Sequence, residues 1–217
     1  MIHHFLKPKW ALSLPEGWTA RRLKYDSTLN DDKLYEDHPE DAEIDYIEIS
    51  DVSQIGGIER KQVLAFVDAP SRARRLLKVG DTILSTVRTY LKAVAYVGEK
   101  NAAAVASTGF AVIRPGKEFN PRFLAWVLQS DAFVGEVVSH STGVSYPAIN
   151  PVDISNLEVI KPPLEVQQKI AAHLDRETAK IDKLIAKELE LIDKLKERRA
   201  ALITAAVTGQ LAIASAR

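Results

Sequence analysis

The 217-residue sequence predicts an α+β protein: a mixed α/β domain rich in short strands over residues 1–161, then a long C-terminal coiled-coil α-helix over residues 162–217. Three observations carry this reading. Apolar residues make up 46% and charged residues 27%, a composition able to bury a core. Up to Pro162-Pro163, short β-branched and aromatic runs alternate with glycine and proline turns. Beyond that pair, Leu164 to Val207 contains neither glycine nor proline and is built from strong helix formers.

The elements follow in order. LPEGWTARRL reads as a turn at Pro15-Glu16-Gly17-Trp18 leading into a strand, and the acidic segment Asp26–Asp45, without periodicity, as a loop or frayed helix. DYIEISDV alternates Tyr46, Ile49 and Val52 with polar residues and reads as a strand, followed by a turn at Ile55-Gly56-Gly57-Ile58. LLKVGDTILSTV reads as a strand, a turn at Gly80-Asp81 and a second strand ending near Val87; AVAYVGE continues in that style. STGFAVIRPG is a strand closed by Pro115-Gly116. Asn120-Pro121 offers a cap followed by proline at the first helical position, with Phe123, Leu124, Val127 and Leu128 at helical spacing. Ser130 or Asp131 caps a second short helix carrying Phe133, Val134, Val137 and Val138. HSTGVSYPAIN breaks it as a loop, and ISNLEVI reads as a last strand.

In the long helix, Leu174, Ile181, Glu188, Leu195 and Leu202 recur every seven residues. Thr178, Ile185, Ile192, Arg199 and Ala206 follow each by four, a heptad pattern diluted by Glu188 and Arg199. From Ile170 to Ala206 such a helix runs roughly 55 Å at 1.5 Å per residue, too long to bury its stripe on one small domain. It calls for a second helix, with Leu174, Ile181, Ile185, Ile192, Leu195 and Leu202 as the dimerisation residues; a helix lying back on its own domain is the other reading. Gly209 supplies the stop, and LAIASAR a frayed tail.

Composition bounds the function. The absence of cysteine removes disulfide scaffolds, thiolate catalysis and Cys-based zinc sites, and suits a reducing cytosol. No apolar run reaches about 18 residues, which argues against a membrane span. MIHHFLKPKW lacks the layout of a signal peptide, so a mature cytoplasmic chain is expected. No P-loop, dinucleotide fingerprint, nucleophile elbow or Asn-Pro-Pro-Tyr type methyltransferase motif occurs. His3, His4, His38, His140 and His173 have no partners at metal-ligand spacing. Neither an enzyme, a cofactor nor a metal site is expected.

The net charge is zero, but unevenly spread. Asp26–Asp51 holds 11 acidic residues and one basic residue, whereas Ile58–Lys100 holds nine basic and four acidic. A neutral total therefore leaves room for a basic face, or simply for a dipolar surface. Arg72, Arg74 and Arg75 precede a strand, and Arg88, Tyr90 and Lys92 follow the next. Arginine forks suit phosphates or the O6/N7 edge of guanine, and tyrosine packs on sugars and bases. The loop SHSTGVSY, with Ser141, Thr142, Ser145 and Tyr146 around Gly143, permits close approach to a ligand. Exposed arginines and a solvated turn are the ordinary reading of the same residues.

These segments also resemble a known family. LPEGW, GDTILSTVRTYLKAVAYV, STGFAVIRP, and STGVSYPAIN leading to ISNLEVIKPPLEVQQKIAAHLD look like the specificity subunit of Type I restriction–modification systems. The ending, IDKLI…LIDKLKERRAALITAAVTGQL, is similar to that family's conserved spacer helix. The likeness runs from about Leu14 to Leu211 and is most specific from Pro162 to Asp175 and through Val207-Thr208-Gly209.

The resemblance implies a non-catalytic subunit that binds double-stranded DNA. It would direct a partner adenine-N6 methyltransferase (modification) subunit, and an ATP-driven restriction subunit, to a bipartite target. It also implies long helices that pair antiparallel and space two recognition domains. The family's usual chain holds two recognition domains and two helices; this sequence holds one set, as either a half-length subunit or a fragment, and two copies are expected to form a homodimer through their helices. Val166 stands where a glutamate commonly precedes the glutamine. The alternative from another class is a coiled-coil interaction module without DNA binding.

Overall fold

The computed structural model describes residues 14–55 and 57–210. By contacts the chain divides into two compact units, one reaching to Ala171 and one beginning at Ala172.

In the first unit, β1 (Thr19–Arg22) pairs antiparallel with β12 (Glu158–Lys161). One four-stranded antiparallel sheet runs β2 (Ser27–Leu29), β11 (Phe110–Pro115), β8 (Thr82–Ser85), β9 (Val94–Tyr96). The other runs β6 (Gln62–Ala65), β3 (Glu43–Ile47), β10 (Val105–Ser107), β7 (Ala73–Leu76), with β3 and β10 parallel. β4 (Val52–Ser53) and β5 (Gly57–Ile58) make a short antiparallel pair.

Strand alternation builds the layers. Leu84, Ala111 and Ile113 join a core with Phe123, Leu124 and Leu128 of α1 (Pro121–Gln129) and Phe133, Val134 and Val137 of α2 (Asp131–Ser139). The intervening residues Ile83, Phe110 and Val112 pack instead with Ile47, Leu77, Ala104 and Ala106. The first sheet is thus covered on both faces, by helices and by the second sheet. That is why its strands read as continuous apolar runs rather than alternating ones. Tyr46, Val105 and Ala73 close a third cluster with Leu34 and Phe66.

Capping matches the sequence. The Asn120 side chain accepts from the Phe123 N–H at 2.9 Å, and Ser130 Oγ from the Phe133 N–H at 3.3 Å. Four segments differ from expectation. The strand expected at the start of LLKVGDTILSTV is β7, which begins at Ala73 and ends at Leu76, leaving Leu77 to Val79 outside it. Within Asp26–Asp45, Ser27–Leu29 is an edge strand on β11, too short to show a period. DYIEISDV is not one strand: β3 ends at Ile47, and Ile49–Asp51 forms a 3₁₀ turn capped by Asp51, which accepts from the Glu48 N–H at 3.0 Å. In ISNLEVI only EVI is strand, the first three residues of β12. Ile154–Asn156 belongs to α3 (Pro151–Asn156), started by proline at N1.

α4 spans Leu164–Val207, 44 residues or about 66 Å at 1.5 Å per residue. Its first turns belong to the first unit, where Gln167 and Ala171 are buried. Gly209, at φ +74°, follows as the left-handed stop. Residues beyond Gln210, and MIHHFLKPKW, lie outside the described residues. Among the described residues no helix is long and apolar enough to cross a membrane.

Candidate nucleic-acid interface

Seven of the ten expected DNA residues, all but Arg72, Arg74 and Arg75, are collected by two loops that the fold binds together. After β8, Thr86 donates to the Gly109 carbonyl from both N–H (2.8 Å) and Oγ1 (2.9 Å), which fixes where the chain leaves the sheet. Arg88 and Lys92 then take left-handed backbone conformations, φ 51° and 52°, on either side of a 3₁₀ turn at Thr89–Leu91. Non-glycine residues adopt this region at a cost, so the surroundings must hold them there.

The second loop does so. The Arg88 N–H donates to the Pro147 carbonyl at 2.8 Å, Val87 bridges Ala148, and the Ile149 N–H donates to the Thr86 carbonyl at 2.9 Å. Thr142 and Ala148 exchange backbone hydrogen bonds of 2.8 and 2.9 Å, closing Thr142–Ala148 into a tip. Gly143 makes that tip possible. Its φ is +104°, and a Cβ there would lie 3.1 Å from the Tyr146 carbonyl oxygen. Thr89 Oγ1 and Ser141 Oγ share a hydrogen bond of 2.8 Å, and Ser141 Oγ also donates to the Val137 carbonyl.

The result is an exposed platform. Val144 is fully exposed (102%), and Tyr146 (68%) and Tyr90 (53%) are largely so, with Thr142 and Ser145 between them. The Arg88 guanidinium lies over the Tyr146 ring, 5.2 Å from its centroid, with no ion pair to a carboxylate among the described residues. Lys92 meets Asp131 at 2.8 Å, and that hydrogen bond holds the Asp131 carboxyl below its usual range. Gln54 also reaches Asp131, which brings the β4–β5 turn beside Lys92.

The three upstream arginines fare differently. Arg72 precedes β7 and pairs with Glu48; its carbonyl accepts from the Thr108 N–H, next to the Gly109 that holds Thr86, so it shares this end of the sheets. Arg74 and Arg75 lie within β7 rather than before it. Arg74 is half-buried over the Phe66 ring at 5.3 Å. Arg75 is half-buried, its Nε without a hydrogen-bond partner, and burial lowers its pKa. Arg74 lines an open cleft of about 550 Å³ with Lys33, Leu34 and Tyr35.

Val144, Leu91 and Gln54 join the platform without having been singled out from sequence. Val144 carried a signal, an apolar residue inside a hydroxyl-rich turn. Leu91 and Gln54 carried none, because only the tertiary fold brings their loops together. Among the described residues no group of three or more His, Asp or Glu side chains is placed to hold a metal.

The family model of the Type I restriction modification DNA specificity domain matches residues 15–194. The chain is 30% identical over 102 residues to the StySPI specificity subunit of Salmonella potsdam, an alignment spanning 47% of this chain and 22% of that protein. The HsdS subunit of Thermoanaerobacter tengcongensis superposes with a TM-score of 0.70 at 29% identity, over 94% of this chain and 52% of that one. A chain from the structure describing complex assembly and conformational transition of the type I R-M system superposes with a TM-score of 0.73 at 28% identity, with the same coverage. The chain thus spans about half the length of the solved relatives it matches. It belongs to the family of Type I restriction modification DNA specificity domains.

Proposed function

We propose that the chain is the non-catalytic DNA sequence-recognition subunit of a Type I restriction–modification enzyme. It directs a partner adenine-N6 methyltransferase subunit, and an ATP-dependent restriction subunit, to a bipartite target in the cytoplasm. The observation that carries this is the platform of Arg88, Tyr90, Lys92, Ser141, Thr142, Ser145 and Tyr146, held on two hydrogen-bonded loops in a chain of this family. Rigid presentation is what base reading needs, since a fork or hydroxyl misplaced by an ångström loses its pairing edge. Arg72, and Arg74 and Arg75 along β7, serve phosphates and set the register on the duplex.

In this reading residues 1–161 recognise DNA and residues 162–217 form the spacer. Two copies pair through antiparallel α4 helices along Leu174, Ile181, Ile185, Ile192, Leu195 and Leu202. Most of these side chains are exposed in the single chain. Identical readers related by a dyad select an interrupted palindrome, with a gap that the protein does not read.

The test is methylation mapping of genomic DNA from cells carrying this chain with its modification subunit. Methylated adenines confined to one interrupted palindrome are expected, and lost when Arg88 and Tyr146 are both replaced by alanine. Methylation that continues without the chain, or a complex with no affinity for duplex DNA, would refute the proposal.

A further inference from the structure

The apolar seam of α4 is broken by two charges of opposite sign. At alternating four- and three-residue steps the seam runs Ile181, Ile185, Glu188, Ile192, Leu195, Arg199, Leu202, Ala206. Off the seam some charges pair with neighbours one turn away, Glu177 with Lys180, Glu190 with Lys194 and Asp193 with Lys196, and others, such as Asp182, Lys183 and Lys187, stand exposed where water solvates them in any pairing. Glu188 and Arg199 have no such partner among the described residues, nor any hydrogen bond. Closing the seam against another helix would strip water from both, which is tolerable only if each meets its opposite.

We infer that α4 pairs with α4 of a second copy antiparallel, in the register that sets Glu188 of each chain against Arg199 of the other. This rests on the homodimer proposed above and supplies its alignment. A dyad midway between Asp193 and Lys194 places Glu188 and Arg199 at equal distances on opposite sides. It also sets Ile192 against Leu195, Ile185 against Leu202 and Ile181 against Ala206, three apolar layers, while Thr178 faces Gly209 and Leu174 lies beyond the paired stretch. Three competing alignments are worse. A slip of one heptad one way puts Glu188 against Ile192 and Arg199 against Ile181; the other way puts Glu188 against Ala206 and Arg199 against Leu195. A parallel, in-register pair opposes Glu188 to Glu188 and Arg199 to Arg199. The two charges thus penalise wrong registers, a use of polar seam residues that trades stability for uniqueness. Their consequence is one defined spacing between readers.

Four forms of the full chain are compared by sedimentation: wild type, Glu188→Arg, Arg199→Glu, and the double exchange. Wild type and the double exchange should dimerise alike, and each single variant at least about tenfold more weakly, through like-charge contacts in the seam. Mixing the two single variants should produce a 1:1 heterodimer of wild-type affinity, which also shows that both are folded. The chain has no cysteine, so Ile185→Cys mixed with Leu202→Cys should oxidise to a mixed disulfide. Single variants that dimerise as well as wild type, a mixture that stays monomeric, or self-linked Ile185→Cys would overturn the register and leave the homodimer standing. A wild-type chain monomeric at micromolar concentration would instead remove the homodimer itself.

Discussion

The guanidinium of Arg88 lies 5.2 Å from the ring centroid of Tyr146, joining two loops that are distant in sequence. The contact orients a fork already held by a left-handed backbone, so Tyr146 acts partly through Arg88. Tyr146→Ala should weaken discrimination between target and single-base variants by roughly tenfold, the scale of one bidentate base contact. Tyr146→Phe should retain it. Competition binding of the assembled methyltransferase complex checks this, and equal discrimination in wild type and Tyr146→Ala would contradict it.

Gly143 decides the shape of the same loop. Its φ is +104°, and an added methyl group would sit 3.1 Å from the Tyr146 carbonyl oxygen, so alanine is strained twice over. Gly143→Ala should cost about 1–3 kcal/mol of local strain. Thermal melting should fall by a few degrees while target selectivity falls much further, because the loop tip shifts before the core does.

At the opposite ends of β8 and β11, Arg114 grips both oxygens of the fully buried Asp81 at 2.8 Å, and the Lys78 N–H donates to the same carboxylate at 2.8 Å. Arg114→Met leaves Asp81 buried and without its cation. A loss of about 3–5 kcal/mol is expected for a broken buried pair, read as a lower urea midpoint with unchanged m-value.

Asp32 links to this network through Lys78 and Arg114, whose hydrogen bonds, Lys78's foremost, hold its carboxyl below the usual aspartate range. A depressed carboxylate stabilises the fold fully above its unfolded pKa, about 3.9, and loses that contribution as pH falls through its lower folded value. Wild type should therefore lose stability below about pH 4 more steeply than Asp32→Asn. Denaturant melts at pH 7 and pH 3 test the difference.

Gln167, fully buried, accepts from the Asn120 N–H at 2.8 Å and donates to the Glu118 and Pro162 carbonyls at 3.1 and 2.9 Å. One side chain thus ties the first turn of α4 to the start of α1. Gln167→Leu orphans three backbone groups and should cost about 2–3 kcal/mol. An unaltered melting curve would contradict this role.

Local patterns were legible where one element answers to one signal. Asn120-Pro121 and Ser130 capped the helices expected of them, and Pro162-Pro163 marked the entry to α4. The strand at Ser27–Leu29 was not legible, because three residues on a sheet edge have no period to read. Nor was the split of DYIEISDV, where Asp51 turns its side chain back to cap Glu48 and ends the alternation.

Residue order alone determined the long helix, its seam and the two charges within it, since these follow from spacing along a single regular element. The tertiary structure alone decided the candidate interface. Arg88 and Tyr146 meet, and Arg74 and Arg75 are drawn half into the domain, through strand pairings and loop hydrogen bonds between distant segments. Periodicity reports which face of an element is buried; it carries no record of which other element lies across from it.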